Sequence, residues 1–239
     1  MILVSYSLYG RDPKYLIGAV KNAALIQELG PDWQAVFYLA PEIPNEIESE
    51  LVKFGAVVKR WESNWHQNGM FWRFSVINDF EFDFALIRDV DSRISQRELD
   101  CLNEWFKSGK ILSVIRDHPH HNALILGGLW GVSSKVKESS INWKNSELFG
   151  VDHGQDQVFL KKEVYPILKK SMHLNDAFFS FPRSKYRFPS IRSGLGFVGE
   201  SVNENEKFDA NLRQVLQTYL NSRSKRLLIL LRFYLHKIF

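Results

Sequence analysis

The chain has 239 residues, of which 45% are hydrophobic and 24% charged. These values are ordinary for a globular protein with a sizeable core, and they exclude a disordered or fibrous one. The formal net charge is +4, but residues 222–239 contain five cationic side chains and no acidic one. Without those five charges the rest of the chain carries −1, which argues against a broad surface for binding nucleic acid.

Predicted strands and helices alternate along the chain. The predicted strands are residues 2–8, 35–39, 56–59, 84–87 and 111–115. The predicted helices begin near residues 13, 45, 70, 96 and 155 and end near residues 29, 54, 78, 108 and 169. Residues 171–205 are predicted to be loop. This alternation indicates an α/β fold in which helices flank a mostly parallel sheet.

Capping residues predict where three of the helices begin. Asp12 and Pro13 suit the N-cap and the first helical position. Asn45 and Ser95 each stand three residues before a glutamate, which is the spacing of a capping box. No repeat or linker interrupts the pattern, so we expect one domain over residues 1–221, followed by a tail over residues 222–239.

Cysteine content and hydropathy indicate the compartment. Cys101 is the only cysteine, so no internal disulfide can form and a reducing cytoplasm is expected. We find neither a signal-peptide pattern nor a run of roughly 20 apolar residues that could span a bilayer. The tail interleaves basic and apolar residues, which is typical of a helix lying on an anionic membrane. The alternative is a helix packed on the domain or on a second subunit.

A pair of acidic residues follows the predicted strand at 84–87. Asp89 and Asp91 are two residues apart, so on extended chain both carboxylates point the same way. Open α/β sheets place ligands at the carboxyl ends of their parallel strands. Two carboxylates there suit a hard divalent cation that also binds a diphosphate. Acidic pairs also occur on solvated turns, so the motif alone is weak evidence.

Three further segments make the pattern more specific: FWRF before the acidic pair, and ALILGGLWGV and GQDQVFL after it. In this order, the segments resemble the GT-A glycosyltransferases with an Asp-x-Asp motif, of the glycogenin and galactosyltransferase type. RDVDSR, RDHPHHNALILGGLWG and GQDQVFL are also similar to a group of bacterial and viral glycosyltransferase sequences. The resemblance runs from about Pro13 to Glu200.

The resemblance implies a donor site and a metal site. Asp89 and Asp91 would bind Mn²⁺ or Mg²⁺ and, with it, the diphosphate of a UDP- or GDP-linked sugar. His173 would be a third metal ligand. The other residues implied in donor binding are Tyr6, Ser7, Tyr9, Arg73, Gly127 and Gly128. Without the resemblance, Arg73 is equally well explained by a surface salt bridge and the glycines by a strand bulge.

The resemblance also implies a reacting end and an acceptor side. Asp156 and Gln157 match an Asp-Gln element that opens a helix. Asp156 would be the general base of an inverting enzyme, or either residue would line the reacting face of a retaining one. On the acceptor side we expect Asp117, His118 and Trp130. A zinc site in RDHPHH is not favoured, because partner ligands at suitable spacing are missing.

The resulting prediction is a metal-dependent glycosyltransferase that transfers a sugar from a nucleotide donor to a glycan or lipid-linked hydroxyl acceptor. The resemblance implies a role in surface polysaccharide or lipopolysaccharide synthesis. One alternative is a sugar nucleotidyltransferase, but SYSLYGRDP is a poor phosphate-binding loop. The other is a non-catalytic protein that binds carbohydrate or assists assembly, which would not depend on Asp89 for donor hydrolysis.

Overall fold

A sheet of seven strands forms the centre of the described structure. The computed structural model describes residues 1–61, 69–143, 154–179 and 188–225, together with 227, 228 and 231. The strands are β1 (Ile2–Leu8), β2 (Trp33–Leu39), β3 (Val57–Arg60), β4 (Phe84–Arg88), β5 (Leu112–Arg116), β6 (Leu129–Ser133) and β7 (Met172–Asp176). Their order in the sheet is β3-β2-β1-β4-β6-β5-β7.

β6 is the strand that makes the sheet mixed. It pairs antiparallel with both β4 and β5, whereas the other neighbouring pairs are parallel. The helices that connect or flank the strands are α1 (Pro13–Glu28), α2 (Asn45–Lys53), α3 (Gly69–Trp72), α4 (Val76–Asp79), α5 (Gln96–Lys107), α6 (Gln155–Phe159), α7 (Tyr165–Leu168) and α8 (Ala210–Leu220). The predicted mixed, mostly parallel α/β sheet is confirmed.

Two of the predicted helix caps are confirmed and one is wrong. The Asp12 side chain accepts a hydrogen bond from the Lys14 amide at 2.9 Å, and Pro13 opens α1. Ser95 caps α5 by accepting from the Glu98 amide at 3.3 Å. In α2 the N-cap is Pro44, so Asn45 is already helical and its side chain does not cap.

The prediction that residues 171–205 are loop is wrong for the start of this segment. β7 lies there and pairs in parallel with β5, with His173 opposite Ser113. Its sequence MHLND buries polar residues, namely His173, Asn175 and Asp176. The strand alternates apolar and polar residues over only a few positions, and it buries the polar ones, which is the reverse of the pattern by which a half-buried strand is recognised.

The C-terminal part of the described chain packs back onto the domain. Leu216 of α8 is fully buried in a cluster with Phe178, Phe179 and Phe197. Most of the predicted tail at 222–239 lies outside the described residues. Within the described part of the chain, no helix has the length and apolar content needed to cross a membrane.

Candidate active site

The carboxyl edge of β4 is where the predicted site residues converge. Asp89 follows Arg88, the last residue of β4, and Gly128 precedes Leu129, the first residue of β6. Arg88 and Leu129 are register partners, so Asp89 and Gly128 lie side by side at this edge. Asp156, near the start of α6, and Arg73, in a 3₁₀ turn after α3, face the same space. A cavity of about 210 Å³ lies between these groups.

A second cavity, of about 270 Å³, adjoins the first. Tyr9, Met70, Arg73 and Asp89 line both, and Asp91 lines the second. After the roles that the resemblance implies, we call the cavity that Asp156 lines the reaction cavity and the cavity that Asp91 lines the donor cavity. Asp89 thus stands at the boundary between two compartments of one site.

Arg73 is a buried cation that joins the two compartments. One guanidinium nitrogen (Nη1) pairs with Asp89, and the other (Nη2) contacts Asp156 at 2.9 Å. Burial alone would lower the pKa of Arg73, but the charges of Asp89 and Asp156 outweigh it and raise the pKa. The backbone of Arg73 is held by β1, since its amide donates to Ser7 Oγ at 2.9 Å. The guanidinium is therefore a fixed positive charge between two carboxylates.

Gly127 and Gly128 leave room for the two carboxylates. A Cβ added at Gly127 would collide with the carboxylate of Asp156, and one added at Gly128 would collide with that of Asp89. Neither glycine has a positive φ, so space rather than backbone conformation accounts for them. Trp130 supports this segment, because its buried indole nitrogen donates to the Gly127 carbonyl at 3.1 Å.

We predict that Gly128→Ala lowers the activity of this site at least tenfold, because the new methyl group occupies the space of the Asp89 carboxylate. The crowding should also cost about 1–3 kcal/mol of unfolding free energy. Activity and thermal unfolding are measured together. Gly196→Ala is the control, since the nearest atom to an added Cβ there lies 3.9 Å away. An alanine at 128 that leaves activity intact would show that Asp89 does not need this space.

Asp89 and Asp91 form a suitable but incomplete ligand set for a divalent cation. Both side chains line the donor cavity, and Mg²⁺ or Mn²⁺ binds readily through two carboxylates when substrate phosphates complete the shell. The Asp91 carboxylate contacts Lys14 Nζ at 2.6 Å. Burial would lower the pKa of Lys14, but the hydrogen bond and charge of Asp91 raise it. Each of the two carboxylates thus pairs with a cationic side chain and also lines the donor cavity.

His173 does not lie with the acidic pair. It is on β7, level with Ser113 of β5, and two strands separate β7 from β4. It is also buried and absent from the lining of both cavities. Among the described residues, no group of three or more His, Cys, Asp or Glu side chains could hold a metal. The structure therefore does not bring His173, the expected third ligand, to Asp89 and Asp91.

Of the tyrosines and the serine predicted to bind the donor, Tyr9 and Ser7 line the cavities and Tyr6 does not. Tyr9 lines both cavities and is 43% exposed, and Ser7 lines the donor cavity. Tyr6 is buried and stacked on Phe37, with ring centroids 4.8 Å apart. Tyr6 therefore belongs to the core rather than to the cavity wall.

Asp117 and His118, expected on the acceptor side, are fully engaged within the protein. Asp117 is completely buried and pairs with Arg97 at 2.8 Å and with Arg192. His118 contacts the Leu212 carbonyl through Nε2 at 2.9 Å. Burial lowers the pKa of His118 to about 4. Neither residue lines the two cavities.

Several solved structures are similar to this chain. TarS from S. aureus matches with a TM-score of 0.51 and 14% identity, over 73% of this chain and 34% of TarS. Glucosyl-3-phosphoglycerate synthase from M. tuberculosis matches with 0.49 and 13%, over 73% of this chain and 69% of the synthase. Mouse xyloside xylosyltransferase 1 matches with 0.46 and 10%, over 74% and 85% of the two chains.

The fold assignment rests on the likeness to S. aureus TarS, with its TM-score of 0.51. The chain has a GT-A fold. It spans about half the length of TarS residues 1–349, which it also matches, over 53% of that chain. No protein-family model and no curated protein matches the sequence. At 14% identity the likeness defines the fold, so the activity has to be argued from the site itself.

Sequence reasoning missed several residues of this GT-A site. His121, Met70 and Gly199 line the reaction cavity. Met70 stands three residues before Arg73, on the same helical segment, so its place could have been inferred from helical spacing. Nothing local marks Gly199, because a fold over 70 residues brings it to His121. His118 and His121 stand in the same RDHPHH segment, and of the two only His121 lines the reaction cavity.

Proposed function

We propose that this chain is a metal-dependent glycosyltransferase that transfers a sugar from a nucleotide-sugar donor to a hydroxyl group of an acceptor. The observation that carries the proposal is the Arg73 guanidinium, which joins the Asp89 and Asp156 carboxylates across two adjoining cavities. One cavity has the acidic pair Asp89 and Asp91, and the other has the buried Asp156 carboxylate. That division suits a donor diphosphate beside a reacting sugar.

In the donor cavity, Asp89 and Asp91 would hold Mn²⁺ or Mg²⁺. When bound, the cation acts as a Lewis acid that neutralises charge on the departing nucleoside diphosphate. Arg73 and Lys14 supply further positive charge beside the two carboxylates. Tyr9, with its ring partly exposed at the cavity, offers an aromatic face to the nucleoside or the sugar. TarS residues 1–349 have been crystallised with UDP, and we propose a UDP- or GDP-linked sugar here.

In the reaction cavity, Asp156 is positioned to act on the reacting atoms. One of its oxygens contacts Arg73 and the other accepts the amide of Gln157 at 2.8 Å. The cavity volume of about 210 Å³ is below the range of drug-sized ligand sites, roughly 300–1,000 Å³, and is better suited to a single sugar ring. Asp156 would accept the proton of the acceptor hydroxyl, or would stabilise the reacting sugar carbon with Gln157 beside it.

The acceptor we propose is a growing surface polysaccharide or lipopolysaccharide, with the enzyme at the inner face of the membrane. The supporting feature is the basic, apolar tail at 222–239, of which leucines 227, 228 and 231 are exposed. A lipid-linked acceptor would be met at that surface. The proposal thus places donor chemistry in the domain and acceptor access at the membrane.

A donor panel tests the function. UDP-glucose, UDP-galactose, UDP-N-acetylglucosamine and GDP-mannose are each incubated with the protein and Mn²⁺, and released nucleoside diphosphate is measured. We expect release from at least one donor, loss of that release with a chelator, and a metal-dependent rise in unfolding temperature with the same donor. If no donor gives either release or a thermal shift, the proposed function is wrong.

A further inference from the structure

We infer that His121 is a substrate-binding residue whose Nε2–H donates a hydrogen bond to a sugar hydroxyl in the reaction cavity. The inference rests on the proposed function and names a specificity contact within the same site. It follows from the tautomer of the imidazole, which a backbone amide fixes, and from the place of the His121 side chain in the wall of the reaction cavity.

The tautomer of His121 is set by a backbone amide. The Asp117 N–H donates to Nδ1 of His121, with 3.1 Å between the nitrogens. Because an amide nitrogen can only donate, Nδ1 must be the unprotonated nitrogen and Nε2 must carry the hydrogen. Burial, and the positive charges and histidines nearby, lower the pKa of His121 to about 3. The ring is therefore a neutral donor at ordinary pH.

The Nε2–H of His121 has no hydrogen-bond partner among the described residues, and this nitrogen is not one of the fully buried unpaired polar atoms. The side chain is half-buried and lines the reaction cavity together with Asp156 and Gly199. An open donor at a cavity wall that also carries a buried carboxylate and Gln157 is suited to a hydroxyl group, which both accepts and donates. A sugar ring presents several such hydroxyls.

His118 is the internal comparison for this argument. Its Nδ1 accepts the His120 amide at 3.0 Å, so it has the same tautomer as His121. Its Nε2–H is already used, because it donates to the Leu212 carbonyl at 2.9 Å. The two histidines thus carry the hydrogen on the same ring nitrogen, but only that of His118 is hydrogen-bonded within the protein. His118 holds α8 in place, and His121 keeps its donor for a ligand.

The position of the His121 ring is fixed from several sides. The rings of His118 and Phe197 each lie 5.7 Å from it, centroid to centroid. Asp117, which supplies the amide, is held in turn by Arg97 and Arg192. A Cβ at Gly199 would lie 3.7 Å from the ring, which is ordinary van der Waals contact, so the backbone at Gly199 lies beside it. A donor held this rigidly discriminates among hydroxyl positions, because little ordering is required on binding.

Two substitutions separate binding from support of the fold. His121→Asn places an amide oxygen near the position of Nδ1, so it can still accept from the Asp117 amide but loses the donor at Nε2. His121→Gln places an amide nitrogen near the position of Nε2, so it restores the donor but not the acceptor. His120→Asn is the control, since His120 is exposed and does not line the cavity.

The measurement is the ratio of two dissociation constants in the presence of Mn²⁺. The probes are the nucleotide sugar that gives product in the donor panel and the matching nucleoside diphosphate, which has no sugar. We expect His121→Asn to weaken binding of the nucleotide sugar about three- to tenfold and to leave the diphosphate unchanged. His121→Gln should recover most of that loss, and His120→Asn should change neither constant.

If the donor constants are unchanged but the acceptor KM rises by the same factor in His121→Asn, the hydroxyl belongs to the acceptor sugar and the inference stands. Unchanged donor binding and unchanged acceptor KM in an active His121→Asn protein would overturn it. An equal loss for nucleotide sugar and diphosphate would also overturn it, by indicating a structural role. These outcomes require an active wild type, so failure of the proposed function is detected separately in the donor panel.

Discussion

Replacing Asp89 by Asn is expected to lower the rate of sugar transfer about a hundredfold to a thousandfold. The substitution keeps the size of the side chain but removes a charge that binds the metal and neutralises Arg73. Metal-ion stabilisation contributes several kcal/mol, and each 1.4 kcal/mol is a factor of about ten in rate. Binding of Mn²⁺ in the presence of nucleoside diphosphate should weaken in parallel, which a titration of the metal measures without turnover.

Asp83→Asn is the matched control for this experiment. Asp83 precedes the opposite end of the same strand, and its side chain is 73% exposed in a pair with the terminal amine. Loss of such a surface pair has little effect on stability. If Asp89→Asn retained near-normal transfer and metal binding while Asp83→Asn behaved as expected, the acidic pair would not be the metal site.

Replacing Asp156 by Asn is expected to lower transfer about a hundredfold to ten-thousandfold, the usual range for loss of a general base or acid. Nucleoside diphosphate binding should change little, because Asp156 lines the reaction cavity and not the donor cavity. The unfolding free energy should fall by about 1–3 kcal/mol, because buried Arg73 loses one of its two charged partners.

Glu163→Gln is the control for Asp156, since it removes a carboxylate seven residues further along the same helical run and away from both cavities. Single-turnover transfer and diphosphate affinity are measured for both variants. Transfer that survives Asp156→Asn would assign the chemistry to another group. Equal loss of transfer and of diphosphate affinity would indicate a collapsed donor site instead.

Local patterns were sufficient to expect Asp89 and Asp91 at the wall of one cavity. The apolar run before the two aspartates predicted β4, but the strand ends at Arg88 and the chain turns at Val90 and Asp91. The two carboxylates line one cavity through this turn rather than through the two-residue repeat of a strand. The Asp12 and Ser95 caps could be predicted because each depends on a few consecutive residues. The fold class followed from the alternation of strands and helices, and the structure confirms it.

Contacts between distant segments were beyond the sequence patterns. His118 and His121 stand in one short motif, and what separates them is Leu212, over 90 residues away from His118. The resemblance implied His173 as a third metal ligand, but β7 holds it at the edge of the sheet, two strands away from β4. The link from Arg73 to Asp156 spans 83 residues and has no local signature.

Because β6 runs antiparallel to β5, the connection between these two strands can change in length beside the cavities. Residues 117–128 leave the sheet at the end of β5 and return at the start of β6, both on the edge that holds the cavities. Insertions or deletions at exposed His120 or Asn122 would therefore change the shape of the site without sliding any strand past its neighbour. Variation in the length of this one connection offers a route by which a single sheet could serve different sugars.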